Sequence, residues 1–165
     1  MNNLERLEKM GYNQAQINQI AKAWENDIRL EKCIGPEASL TDIRNIRKIL
    51  ELYKSDKKAL DILYNAINKK MDISSLNDPF CRMNADTLKV YIYGLDMGYI
   101  LEKFKYQSFN KSQAKEIMKG LGKGIDPTPF YNDKYSPREI NYIVKSMNPL
   151  KMPRKLNIMD MILCL

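Results

Sequence analysis

Lys111, Lys115, Lys119 and Lys123 recur at every fourth residue of one stretch. That spacing stacks side chains on one helical face, so a helix here carries a row of ammonium groups. Such a row suits anions, either the phosphates of a nucleic acid or the carboxylates of an acidic protein face. It opposes the helix by about a few tenths of a kcal/mol per like-charged pair. An ordinary solvated lysine face is the other reading of the same row.

The rest of the chain offers little chemistry. Histidine is absent, which removes Ser-His-Asp and Cys-His schemes, histidine bases and most transition-metal sites. Cys33, Cys81 and Cys164 are odd in number and widely spaced. They suggest neither a disulfide framework nor a zinc site, but reduced, buried thiols. The run GLGKG at 120–124 imitates a phosphate-binding loop, yet it falls at a helix C-terminus, where the dipole repels phosphate. Glu116, Asp126, Asp133 and Glu139 scatter over caps and solvent faces, and no spacing pairs two of them for acid–base work. No catalytic residue, metal ligand or cofactor is expected.

The element that must hold the lysine row spans residues 109–135. Asn110 caps a helix and Gln113 reaches back to it, a capping box. Ala114, Ile117, Met118 and Leu121 form its apolar stripe. Gly124 stops it, and Asp126-Pro127 opens a very short return helix through Phe130. The pattern recurs. Tyr135 repeats Phe109; Ser136 to Glu139 make a second box; Ile140, Ile143 and Met147 repeat the stripe. Further units hold Met83, Leu88, Tyr91, Leu95 and Gly98; then Ser55, Leu60, Leu63 and Ile67; then Ile43, Ile46 and Leu50; then Tyr12, Gln16, Ile17, Ile20, Trp24 and Ile28. Six units start near residues 12, 38, 55, 83, 109 and 135. A period of about 26 residues marks a stacked repeat array. Between units two and three no glycine or proline intervenes, which suggests a tight helical hairpin. The column of Gly120 also holds Ala23, Ile49, Ala66, Gly94 and Ser146, mostly small residues suited to close helix approach.

Aligning the units extends the basic row into two columns opposite the apolar stripe. One contains Lys22, Lys48, Asn65, Tyr93, Lys119 and Lys145; the other contains Asn18, Arg44, Asp61, Lys89, Lys115 and Asn141. Stacking would line them into a basic ladder. The candidate binding residues are therefore Lys111, Lys115, Lys119, Lys123, Lys145, Lys89, Arg44, Lys48, Lys22 and Tyr93. Trp24 reads as core filler, with a binding hot spot as the alternative.

The segment NKSQAKEIMKGLGKGID…FYNDKYSPREINYIVKSM resembles the short Q-x-x-E-I-x-x-G-L-x-x-G-x-D repeats found in proteins of low-GC Gram-positive bacteria. Many of those are carried on phages and conjugative elements. The resemblance covers units five and six, and units one and four in part. It implies an accessory protein of a mobile element, since some proteins with such repeats neighbour antirestriction functions.

At 165 residues the chain reads as one all-α domain. Residues 1–11 form an N-terminal cap, with Leu4, Leu7 and Met10 inward; 12–150 hold the repeats; 151–165 form a C-terminal tail helix. That tail reads as a cap on unit six or as an apolar docking surface. The net charge of +7 favours acidic partners. No long apolar run or secretion signal is present, so a soluble, cytoplasmic protein without membrane contact is expected. Two functions stay open: a non-catalytic inhibitor that docks on a host defence nuclease, such as a CRISPR effector, and a nucleic-acid binder using the lysine-rich face.

Overall fold

Asparagine, serine and aspartate side chains start five of the helices of this computed structural model, which describes residues 3–81, 83–99 and 101–149. Among them are seven α-helices and no strand: α1 (Asn3–Lys9), α2 (Gln14–Trp24), α3 (Leu40–Leu52), α4 (Lys57–Asn68), α5 (Ala85–Asp96), α6 (Lys111–Gly122) and α7 (Pro137–Ser146). Four short 3-10 turns lie between them: Leu30–Lys32, Ser74–Leu76, Glu102–Tyr106 and Thr128–Phe130. No described helix is long and apolar enough to cross a membrane. The tail helix expected at 151–165 lies outside the described residues.

Three helices open with reciprocal capping boxes, α2 on Asn13/Gln16, α6 on Asn110/Gln113 and α7 on Ser136/Glu139. Each box satisfies two backbone N–H groups that a helix start leaves unpaired. Ser39 and Asp56 cap α3 and α4 through one side-chain bond each.

Five of the helix ends share one geometry. After α1, α2, α4, α5 and α6 a residue takes positive φ: Gly11, Asp27, Lys70, Gly98 and Gly124. The next N–H then donates five residues back, from Tyr12 to Leu7, Ile28 to Ala23, Met71 to Ala66, Tyr99 to Gly94 and Ile125 to Gly120. This is the Schellman closure, which satisfies helix carbonyls and turns the chain. Gly124 adopts it without steric cost, whereas Asp27 and Lys70 each hold it at a cost of about 1 kcal/mol. Helix α3 is different. It passes into α4 through residues 53–56 with no positive-φ residue.

After the closures of α2, α4, α5 and α6 a 3-10 turn folds back. Phe130, fully buried, comes so near Gly120 that a Cβ there would sit 3.2 Å from its ring and 2.8 Å from Val144 Cγ2. A Cβ on Gly94 would meet Leu101 Cδ1 at 2.2 Å. Close approach is thus the physical reason for glycine at both positions of the small-residue column.

The chain forms two compact units, one ending at Ala85 and one beginning at Asp86. In the first, α2 packs on α1 and α3. Its core holds Ile17, Ile20, Ala23, Leu30, Ile43, Ile49, Leu50, Leu63 and Leu76, all sealed from solvent. In the second, α6 packs on α7, around Leu88, Tyr91, Phe104, Phe109, Ile117, Leu121, Phe130 and Ile140. Several sequence expectations need correction: the stripe residues Leu60 and Ile143 are half-buried, and Ala59 and Val144 take the core places beside them. Only Leu7 of α1 turns inward; Leu4 and Met10 are 38% and 43% exposed. In α3 Ile49 occupies the core, while Ile46 is half-buried.

Candidate functional site

Burial on one side of α6 fixes what the other side shows. Gln113, Ala114, Ile117, Gly120 and Leu121 face inward. Lys111, Lys115 and Lys119, with Lys123 at the C-cap, therefore stand exposed along the outer face. Lys119 Nζ lies 2.6 Å from Glu116 Oε1, and the other carboxylate oxygen accepts from Asn141 Nδ2 of α7 at 2.6 Å. Glu116 thus bridges the two helices. Hydrogen bonds from Lys119 and then Asn141 hold its carboxyl below the ordinary value of 4.5, assisted by the field of Lys115. Among the described residues Lys111, Lys115 and Lys123 form no ion pair.

A shallow groove of about 410 Å³ runs beside this bridge, lined by Glu116, Pro137, Arg138, Asn141, Tyr142 and Lys145. Tyr142 is 75% exposed. It stands one helical turn from both Arg138 and Lys145 on α7, so an aromatic ring sits among cations. Sequence reasoning passed over Arg138 and Tyr142. A signal was available for Tyr142, because Ile140 and Val144 are the buried positions of α7 and the residue midway between them points away; Arg138 stands one turn before it on the same face.

The remaining candidates fall as follows. In the second unit Lys89 is exposed on α5, and Tyr93 is half-buried, its hydroxyl 3.0 Å from where a Gly122 Cβ would lie. In the first unit Lys22 on α2 and Arg44 and Lys48 on α3 are exposed. Within each unit the structure places these cations on the solvent face. Arg47 behaves otherwise: it lies 2.5 Å from Glu51 and donates to Gln19 Oε1 at 3.3 Å across the α2–α3 seam.

One structural role was invisible in the sequence. Besides closing its capping box, Gln113 donates from Nε2 to the carbonyls of Asp133 (2.7 Å) and Tyr135 (2.6 Å). Gln16 does the same to Pro36 and Ala38, both at 2.9 Å. Both glutamines are buried. Each pins the segment leading into the following helix, so that α7 is oriented from α6 and α3 from α2. In α5 the equivalent position carries Thr87, whose Oγ1 accepts from Phe109 N–H at 2.7 Å. Lys105 is a second hidden feature. Burial opposes its charge, but the Glu102 carboxylate 2.5 Å away, together with the Tyr91 and Tyr106 hydroxyls, outweighs that and holds its pKa above the ordinary value.

Among the described residues no group of three or more His, Cys, Asp or Glu is arranged to hold a metal. Burial, with the nearby Glu31 charge, pushes the Cys33 thiol up to about 12. Cys81 is buried against the Tyr53 hydroxyl at 3.5 Å; Cys164 lies outside the described residues. Compared with known protein families, curated proteins and solved structures, the chain matches none.

Proposed function

We propose that the protein is a non-catalytic binding module whose working surface is the solvent face of α6 and α7, and that its partner is a protein with an acidic face. The observation that carries this reading is the α6 lysine row. It is unfavourable to the helix itself, and three of its four members form no ion pair among the described residues. Charge placed against local stability, on a face that packing does not need, suits a partner. The repeat resemblance supplies the context: a phage or mobile-element protein acting in the bacterial cytoplasm on a host defence nuclease, a CRISPR effector being the type example. The shared helix closures and return turns support the finer architecture, a stack of about six units at a period of about 26 residues.

The test is an affinity pull-down from a host lysate at low and high salt, joined to a nuclease assay. A captured defence nuclease that loses activity supports the reading. Capture of no such protein, with nuclease activity unchanged, contradicts it. A second reading, nucleic-acid binding, is favoured by the exposed Tyr142 ring between Arg138 and Lys145, because a base can stack on it while the cations meet phosphate. Binding would then weaken steeply with salt, and a gel shift showing none at low salt removes it.

A further inference from the structure

The first unit carries a built surface of its own. A groove of about 410 Å³ opens between α1 and the return turn after α2. Met10 and Trp24 provide its apolar wall, and Arg6, Arg29 and Lys32 its charged rim. The Arg29 guanidinium lies 5.7 Å from the centre of the Trp24 ring, a cation–π distance. The indole N–H donates to Glu31 Oε2 at 3.0 Å. Glu31 is the sole carboxylate of the lining, and that bond already engages it. Among the described residues Arg6, Arg29 and Lys32 form no ion pair.

The fold does not require this chemistry. The second unit has a groove in the corresponding place, of about 260 Å³, between the 3-10 turn before α6 and the return after it. Its charges are balanced, Glu102 against Lys103, and Lys103 lies over the Tyr131 ring at 4.8 Å. Where α2 ends in half-buried Trp24, α6 has Leu121, fully buried. A leucine therefore satisfies the packing, and the tryptophan, the larger groove and the unbalanced cations are additions.

We propose that the groove of Arg6, Met10, Trp24, Arg29 and Lys32 binds an acidic stretch of a protein partner that carries a large apolar side chain. The apolar side chain lies on Met10 and the open part of the indole, and the flanking carboxylates meet Arg6 on one side and Arg29 and Lys32 on the other. The charge complementarity selects the ligand: three cations against one engaged carboxylate reject a basic or neutral peptide. This surface is independent of the α6 reading, since no residue is shared.

Trp24 is the only tryptophan of the chain, so its fluorescence reports occupancy directly. The full chain is titrated with acetyl-Glu-Asp-Phe-Glu-Asp-Leu-amide, with the amide counterpart acetyl-Gln-Asn-Phe-Gln-Asn-Leu-amide, and with oligothymidylate. The acidic peptide is expected to shift the emission saturably. Its affinity should fall at least about tenfold between low and high salt, as screened charge pairs do. Arg6→Glu and Lys32→Glu, neither of which contacts the indole bond to Glu31, should each weaken it about tenfold with unchanged circular dichroism, by reversing a charge in the rim. Charge reversal on α6 should leave the titration unaltered. No saturable change up to about 1 mM peptide, equal binding of the amide peptide, or a response to oligothymidylate alone overturns the proposal.

Discussion

The pairs α2–α3 and α6–α7 are two solutions to one packing problem. Asn13 and Asn110 cap the first helix of each, and Gln16 and Gln113 complete the boxes. The same two glutamines then donate two further bonds to the segment that starts the next helix. Ala23 and Gly120 accept the same closing bond from Ile28 and Ile125. The outer faces diverge. Gln14, Asn18 and Lys22 line α2, with Gln14 bonded to Asn18 at 3.1 Å; Lys111, Lys115 and Lys119 line α6 at the matching positions. What the pairs share holds the fold together. What they do not share is free to serve a partner, and the difference lies in the α6 lysines and in the Trp24 groove.

The largest stability effect should come from the shared glutamine. Gln113→Ala removes three hydrogen bonds, each worth about 0.5–1.5 kcal/mol net, so a loss of about 2–3 kcal/mol is expected from urea unfolding. Gln16→Ala should cost as much. A loss at one site and none at the other would break the equivalence of the pairs. Smaller is the effect at the helix ends. Gly120→Ala gains about 1 kcal/mol of helix propensity but forces a Cβ to 2.8 Å from Val144 Cγ2. Overpacking of about 1–3 kcal/mol leaves a net loss of about 1 kcal/mol. Ala23→Gly should lose a similar amount for the opposite reason, lost propensity. A stabilised Gly120→Ala variant would show that α7 yields freely.

The smallest effect concerns pH. Glu116 is held below its ordinary 4.5 in the folded state. Its ionised form therefore adds stability above that value, and the contribution disappears as pH falls through the lowered folded-state pKa. With Lys119 half in solvent, the contribution is below about 1 kcal/mol. Glu116→Gln should remove that part of the acid-side slope in thermal melts and change little at neutral pH. An unchanged slope would mean the bridge between α6 and α7 carries no net energy.

The helices themselves are legible in the sequence, because their stripes and caps are local signals. Asn110 with Gln113 and Ser136 with Glu139 lie three residues apart and can be read directly. The second duty of Gln113 cannot. Its partners are backbone carbonyls at Asp133 and Tyr135, and a carbonyl has no residue identity to recognise. The closures after α2 and α4 were hidden for another reason: Asp27 and Lys70, not glycine, take the left-handed position. In α1, a helix of 7 residues, two turns are too few for a stripe to tell Leu7 from Leu4 and Met10. The solvent face of α6 was legible because four lysines cannot all be buried. That Lys119 is engaged by Glu116 while its neighbours form no ion pair depends on side-chain geometry. Tyr142 lay in view on the polar side of α7 but is aromatic, and an aromatic residue reads first as core.

The central claim is that the α6 face works and the matching face of the first unit does not. Two charge-reversed proteins decide it: Lys111→Glu with Lys115→Glu and Lys123→Glu, and Lys22→Glu with Arg44→Glu and Lys48→Glu. Both sets change exposed residues, so both proteins should keep the parent melting temperature to within a few degrees. The α6 set should lose capture of the partner by at least about tenfold, as reversal of close charge pairs does, and the first-unit set should keep it. Retention by the α6 set, or loss confined to the first-unit set, would contradict the account.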